Sequence, residues 1–163
     1  MRVKLSDIID AMDIQMDESL SYVDKETGEV LNFMHEELVA AEDDEPLDDL
    51  PEWQRESIQK AIKIIYEDNA SSLPTKWDIH EYRIMENFCY SIEDERISDS
   101  LFRAIRGRGA FRYFKDSIHR FGIQDDWYKY RYEAFKKIAI EWCEDSNIEY
   151  IDDTEKPLSA DEC

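Results

Sequence analysis

The stretch LFRAIRGRGAFRYFKDSIHRFGIQDDWYKYRYEAFKKIAIEW, residues 101–142, combines basic residues, two closely spaced glycines and many aromatic rings, as no other part of the chain does. Within 101–137 there are 10 basic and 4 acidic side chains, a local charge of +6. The whole chain of 163 residues has a net charge of −20. The stretch is therefore a cationic island in a strongly acidic protein.

Apolar residues at helical spacing predict helices over 98–105, 110–121 and 126–144. Gly107 suits the left-handed residue that follows the first of these helices. The aspartates at 125–126 suit the positively polarised start of the last one. The residues expected to form the buried faces of the last two helices are Phe111, Phe114, Ile118, Phe121, Trp127, Ala134, Phe135, Ile138 and Trp142.

Outside the island, two alternating runs within 19–33 predict a β-hairpin. One hairpin alone is marginal in water, so we expect it to pack on helices or to gain a strand, for which 147–151 is the candidate. The fold class predicted is α+β: a mainly helical domain with an N-terminal β-hairpin. The other predicted helices are 3–12, 34–41, 57–67 and 77–91.

The length of the chain predicts a single domain over 1–152. An acidic loop at 42–53 lies within it, and 153–163 reads as a flexible acidic tail. The loop has seven acids and two prolines in its first eleven residues. Those acids lack the spacing of a calcium-binding loop, so a solvated loop is the interpretation that fits.

Charge and composition restrict the partners of this protein. A net charge of −20 repels nucleic acids and anionic membranes, so neither is an expected direct partner. The interleaved aromatic and basic residues at 127–132 suggest single-strand binding, but adjacent rings on a helix point in different directions. Cys89 and Cys143 lie within apolar helical patterns, so we expect buried free thiols there. The three cysteines, with Cys163, have no CxxC spacing, and no apolar run spans a membrane, so we expect a cytoplasmic protein.

The most specific site candidate is the glycine pair that precedes the helix at 110–121. The first N–H groups of a helix lack internal partners, and nearby cations favour a phosphate, sulfate or carboxylate there. The opposing interpretation is that these cations pair with carboxylates of the same protein. The candidate residues for binding an anion or a partner are Gly107, Arg108, Gly109, Arg112, Lys115, His119 and Arg103.

Catalytic and metal motifs are incomplete in this chain. His35 and His80 are each followed by glutamate, as in HExxH, but Val39 and Ile84 stand where the second histidine is needed. The sequence also lacks GxSxG and the phosphate loop GxxxxGK[ST]. We therefore predict no catalytic residue, no metal site and no cofactor, and we lean against an enzyme without excluding one.

Several segments of the chain form a recognisable set: YVD at 22–24, TGEV at 27–30, LP at 73–74, EYRIM at 81–85, Phe88, GRGAFRYFKD at 107–116, WY at 127–128 and Trp142. Together they resemble an uncharacterised bacterial protein family of the UPF type. The resemblance covers most of 3–151, and GxGAFxxFK is its most specific block. It implies a bacterial cytosolic domain of unknown function, and it implies no reaction, cofactor or catalytic residue.

Three functions follow as hypotheses. The first is a non-enzymatic interaction or regulatory domain that binds a small anion or an acidic patch of an unknown protein partner through the GRGAFRYFK face. The second is an acidic mimic or inhibitor that binds a basic, nucleic-acid-binding protein through 36–52 and the tail. The third is an enzyme, which a pocket holding His80 or His119 beside a carboxylate would favour.

Overall fold

A computed structural model describes residues 2–14, 19–43, 46–67 and 69–154. These residues are mainly helical and include two small sheets, so the predicted α+β class is confirmed. In chain order the elements are β1 (Val3–Lys4), α1 (Leu5–Asp13), β2 (Ser19–Asp24), β3 (Val30–Met34), α2 (His35–Glu42), α3 (Glu52–Glu67), β4 (Ala70–Ser72), α4 (Lys76–Ile79), α5 (Glu81–Ser91), α6 (Glu95–Ala104), α7 (Ala110–Arg120), α8 (Gln124–Asp145) and β5 (Tyr150–Ile151).

The chain forms two compact units. The terminal unit consists of 1–75 and 139–163, and the central unit consists of 76–138. Helix α8 begins in the central unit, and its residues from Ala139 onward belong to the terminal unit. The single domain expected over 1–152 stays a prediction.

The predicted hairpin is confirmed in the terminal unit. β2 and β3 are antiparallel, with Leu20 opposite Phe33 and Tyr22 opposite Leu31, so these four side chains lie on one face of the sheet. The other edge of β2 pairs with β4, which gives the strand order β3-β2-β4. The Nε1 of Trp142 donates to the carbonyl oxygen of Ser72 in β4, 3.0 Å away.

The prediction that 147–151 joins the hairpin sheet was wrong. β5 runs parallel to β1, with Val3 opposite Tyr150, and the two form a separate sheet. The third strand of the hairpin sheet is β4, whose sequence is ASS. It contains no β-branched residue, so its composition does not predict a strand. The residues 3–4, predicted to be helical, are the strand β1.

The core of the terminal unit lies between the hairpin and the helices α2 and α3. At the start of α2, the Met34 N–H donates to the Glu37 carboxylate at 3.1 Å, and that carboxylate also accepts the Ser57 hydroxyl of α3. These bonds tie the first turns of the two helices together. The buried residues of this core are Leu31, Phe33, Leu38, Ala41, Ile58 and Ala61.

The acidic loop predicted at 42–53 includes the segment between α2 and α3, whereas residue 42 belongs to α2 and residues 52–53 belong to α3. Among the described residues of this segment, 43 and 46–51, the structure has no helix or strand. Residues 44–45 lie outside the described part of the chain, as does most of the predicted tail, 155–163. Within the described ranges, no helix is long and apolar enough to cross a membrane.

The helix predicted over 77–91 is two helices, α4 and α5. His80 separates them with a left-handed backbone, φ 53°, a conformation that histidine adopts more readily than β-branched residues do. The change of direction leaves Tyr82 at 43% exposure. Its hydroxyl donates to the carbonyl oxygen of Ile105 at 3.1 Å.

The core of the central unit is an aromatic cluster. Phe114 of α7 and Trp127 of α8 meet edge to face with ring centroids 4.7 Å apart, and Phe88 of α5 contacts both rings. Phe114 and Trp127 are buried, as predicted. Phe111 was predicted to be buried and is 46% exposed, because the buried side of α7 is centred on Phe114 and Ile118.

The buried face of α8 differs in part from the predicted one. Trp127 and Phe135 are buried, whereas the other three members of the predicted stripe are only half-buried. The buried stripe instead continues from Phe135 to Ala139 and Cys143, which follow it by four and eight residues. The half-buried residues are Ala134, Ile138 and Trp142 on α8, with Phe121 after α7.

The cysteines that the structure describes are buried free thiols, as predicted. Cys89 and Cys143 are fully buried, and burial raises the pKa of each to about 11. A thiol with that pKa is almost entirely protonated at neutral pH and is therefore a poor nucleophile. Cys163 lies outside the described residues.

Candidate anion-binding site

The predicted site lies on α6, α7 and the connection 105–109 between them. The Asp94 carboxylate caps α6 by accepting the Arg96 N–H at 2.9 Å. Gly107 and Gly109 both have left-handed backbones, with φ 85° and 75°, and this lets a short connection turn directly into α7. The first turn of α7 is closed by the Tyr113 N–H, which donates to the Gly109 carbonyl oxygen at 2.9 Å.

Basic side chains are exposed along both helices and the connection. Among the residues that the structure describes, no carboxylate lies within ion-pair distance of any of them. Cations elsewhere do form such pairs: Lys60 with Glu29, for example, at 3.2 Å. For the basic residues of α6, the connection and α7, pairing with the protein's own acids therefore finds no support in the described ranges, whereas Arg131 of α8 does pair with Glu81. We define the basic surface as Arg103, Arg106, Arg108, Arg112, Lys115, His119 and Arg120.

Helical register divides the α7 part of this surface into two faces. Arg112, Lys115 and His119 are three and four residues apart and lie on the outward face, opposite the buried Phe114. Tyr113, Ser117 and Arg120 have a similar spacing and lie on a flank of the same helix.

A shallow cleft runs between α6 and that flank of α7. It has a volume of about 440 Å³. Arg103 of the predicted set lines it, whereas the other predicted residues, Gly107, Arg108, Gly109, Arg112, Lys115 and His119, do not. The residues that line the cleft are Ser100, Arg103, Ala104, Arg106, Tyr113, Ser117 and Arg120.

Sequence reasoning therefore missed most of the cleft. Arg106 and Arg120 each occur near the end of a predicted helix, and their charges were visible in the sequence. The spacing of Tyr113, Ser117 and Arg120 could have identified the flank. They are four and three residues apart, so they lie on one side of a helix, as Arg112, Lys115 and His119 do on the outward face. The pairing of that flank with Arg103 depends on how α6 and α7 pack, and no residue pattern encodes it locally.

The cleft presents hydrogen-bond donors of two kinds. The Arg103 Nε donates to the Asp99 carbonyl oxygen at 3.3 Å, which aligns the guanidinium with the last turn of α6. The Arg120 guanidinium carbon lies 4.9 Å from the centre of the Phe121 ring. Ser117 is 8% exposed and adds a hydroxyl group to the lining. Chemically, this arrangement can bind an anion through charge-assisted hydrogen bonds.

Charge is segregated between the two units. The central unit has 13 basic and 11 acidic side chains, a net charge of +2. The terminal unit has 7 basic and 29 acidic side chains, a net charge of −22, and the two values add to the −20 of the chain. The basic surface thus belongs to a unit that does not share the strong negative charge of the rest.

Within the described ranges, no group of three or more histidine, cysteine, aspartate or glutamate side chains is placed to hold a metal ion. Neither His80 nor His119 lines the cleft, so the arrangement that would favour an enzyme, a histidine beside a carboxylate, is not present there.

Comparison with known proteins gives one family. The family model described as "Uncharacterised protein family (UPF0158)" matches residues 1–162. The UPF0158 protein PA5073 of Pseudomonas aeruginosa is 30% identical over 67 residues, which are 40% of this chain and 44% of that protein. The aligned part thus spans less than half of the length of this relative. No solved structure matches the chain significantly.

Proposed function

This chain belongs to the UPF0158 family, and from that premise we propose that it is a non-enzymatic interaction or regulatory domain. Its basic surface binds an anionic ligand or an acidic patch on a partner protein. The observation that carries this proposal is that the seven basic residues are exposed and have no carboxylate at ion-pair distance in the described part of the chain. In a protein of charge −20, cations left unpaired in this way are available to a ligand. The expected cytoplasmic location is part of this proposal.

The test uses an acidic peptide as the probe. A fluorescent ten-residue oligoglutamate is titrated with the protein and with a variant that combines Arg108→Ala, Arg112→Ala and Lys115→Ala. Each charge on a solvated surface contributes a few tenths to about 1 kcal/mol, so three together lower the affinity about tenfold. Binding by the unchanged protein also weakens as salt rises, because exposed charges are screened.

A matched control removes the same charge elsewhere in the central unit. Arg83→Ala, Lys129→Ala and Lys137→Ala lie on α5 and α8, outside the basic surface, and all three side chains are exposed. This variant retains the affinity of the unchanged protein within about twofold, since it leaves the contacting groups in place. If both triple variants lost affinity equally, binding would depend on net charge alone and the proposal would fail.

The second candidate function is the acidic mimic, and the net charge of −22 in the terminal unit favours it. A surface of that charge attracts basic proteins, and the attraction falls steeply with salt. The test is titration of the protein with an oligolysine peptide. The test variant combines Asp48→Asn and Asp49→Asn in the acidic loop, and the control variant combines Asp125→Asn and Asp126→Asn at the start of α8. Oligolysine binding that is the same at low and high salt would rule this function out.

A further inference from the structure

The cleft between α6 and α7 has a composition that points to a narrower ligand class than "anion". We propose that it binds the phosphate group of a small organic phosphate, such as a phosphate monoester. This proposal rests on the proposed function, because three arginines of the basic surface line the cleft. It adds the chemical class of the ligand.

Three guanidinium groups reach the cleft from three separate places. Arg103 is in the last turn of α6, Arg106 is in the connection, and Arg120 ends α7. Among the residues that the structure describes, no acidic side chain lines the cleft, so this lining has a formal charge of +3. Arginine binds phosphate through paired N–H groups, and three arginines around one cleft can contact several oxygens of the same group.

Neutral donors complete the site. Ser117 contributes a hydroxyl to the cleft lining, and its residue is 8% exposed. A hydroxyl can donate a hydrogen bond to a phosphate oxygen. Ser100 and Tyr113 add two more hydroxyl groups to the lining, and neither has a partner in the described ranges.

The number of donors fits a phosphate better than a carboxylate. A carboxylate has two oxygens and a single charge, whereas a phosphate monoester has three terminal oxygens and a charge of about −1.5 to −2 at neutral pH. The cleft volume of about 440 Å³ exceeds what a phosphate ion needs and lies within the usual range for small organic ligands. The ring of Tyr113, 56% exposed, offers an apolar wall to the organic part.

The test is calorimetric titration of the full chain with phenyl phosphate, and with benzoate as the carboxylate of similar shape. Arg106→Ala combined with Arg120→Ala weakens phenyl phosphate binding at least about tenfold, because two charge-assisted contacts are lost. Ser117→Ala weakens it about fivefold, as expected for one neutral hydrogen bond, without lowering the melting temperature. Lys129→Ala combined with Lys137→Ala removes the same charge from α8 and leaves binding within about twofold.

Three results would overturn the proposal. The first is benzoate binding as tightly as phenyl phosphate, which would remove the phosphate selectivity. The second is an equal loss of affinity in the cleft pair and the α8 pair, which would show a general effect of charge. The third is the absence of phenyl phosphate binding while oligoglutamate still binds through Arg108, Arg112 and Lys115, in which case the proposed function survives and the cleft assignment does not.

Discussion

A Cβ atom built on Gly109 would lie 3.2 Å from Cε2 and 3.4 Å from Cδ2 of the Tyr113 ring. A side chain at position 109 would therefore require the Tyr113 ring to move by a few tenths of an ångström. Because Tyr113 lines the cleft, the glycine that begins α7 also helps to fix one wall of the candidate site. Gly107 has no atom within 4 Å of the equivalent position, so only its backbone conformation requires glycine.

Alanine substitutions at these two glycines separate the need for a left-handed backbone from the need for space beside the Tyr113 ring. Gly107→Ala and Gly109→Ala both force an L-residue into a left-handed conformation, which costs about 1–2 kcal/mol in the free energy of unfolding. Gly109→Ala also displaces the Tyr113 ring, so it lowers phenyl phosphate affinity more than Gly107→Ala does. Urea unfolding and titration of both variants check this, and equal affinities in the two variants would contradict the role given to Gly109.

Two phenylalanines on α7 differ in burial in a way that stability can measure. Phe114 is fully buried in the aromatic cluster, whereas Phe111 is 46% exposed. Phe114→Ala is expected to lower the free energy of unfolding by about 3–5 kcal/mol through the cavity it leaves. Phe111→Ala, made as its control, should lower it by well under about 1 kcal/mol. Comparable losses from the two substitutions would mean that the buried side of α7 has been misassigned.

Arg131 forms a partly buried ion pair with Glu81. Its Nε lies 2.7 Å from Glu81 Oε1, the side chains are 21% and 34% exposed, and the guanidinium stacks 4.1 Å from the Phe135 ring centre. Arg131→Ala should lower the melting temperature clearly, since the pair, the stacking and the packing are lost together. Lys63→Ala breaks an exposed pair with Glu26 and is expected to leave the melting temperature unchanged. The opposite ranking would be incompatible with this assignment.

Asp153 ties the segment after β5 to the start of α1. Its carboxylate accepts the Ser6 N–H at 2.9 Å and the Ser6 hydroxyl at 2.5 Å, and these bonds lower the pKa of Asp153 below its ordinary value of 3.8. Because the pKa is lower in the folded state, the stabilisation is complete above pH 3.8 and is lost as the pH falls through the folded-state pKa. Asp153→Asn should therefore destabilise the protein at neutral pH by about 1 kcal/mol, the size of a helix cap.

Unfolding curves of the Asp153→Asn variant between neutral and acidic pH measure this dependence. The difference from the unchanged protein should be constant near neutral pH and should shrink in strong acid. Ser6→Ala is the matched variant, and a double-mutant cycle isolates the energy of the contact. A difference that grows as the pH falls would have the wrong sign for a lowered pKa.

The hairpin, most helices and the buried thiols could be predicted because each has a local signature. Alternation marks β2 and β3, and apolar residues at helical spacing mark the body of α7 and α8. The break at His80 has no such signature, because the apolar spacing continues from Ile79 to Met85 across it. β4 was missed for a related reason: three small residues become a strand only because the edge of β2 is available to pair with them.

The sequence predicted the positive charge of the candidate site but not its shape. The basic residues from Arg103 to His119 are visible in the sequence, but which of them share a concave surface depends on the packing of α6 on α7. The outward face holds Arg112, Lys115 and His119, and the cleft joins Arg103 to Arg120, 17 residues away in sequence. The number and type of donors around an anion are set by that packing, which local periodicity does not specify.

Titration of the isotope-labelled protein with phenyl phosphate, followed through its backbone amide resonances, tests phosphate binding at the cleft. We expect saturable shifts that are largest between residues 99 and 121, which include the second half of α6, the connection and α7, with little change on α3 or in the later turns of α8. The absence of saturation would contradict phosphate binding at the cleft. Shifts that are largest around Lys129 and Lys137 would do so equally, because those cations lie outside the basic surface.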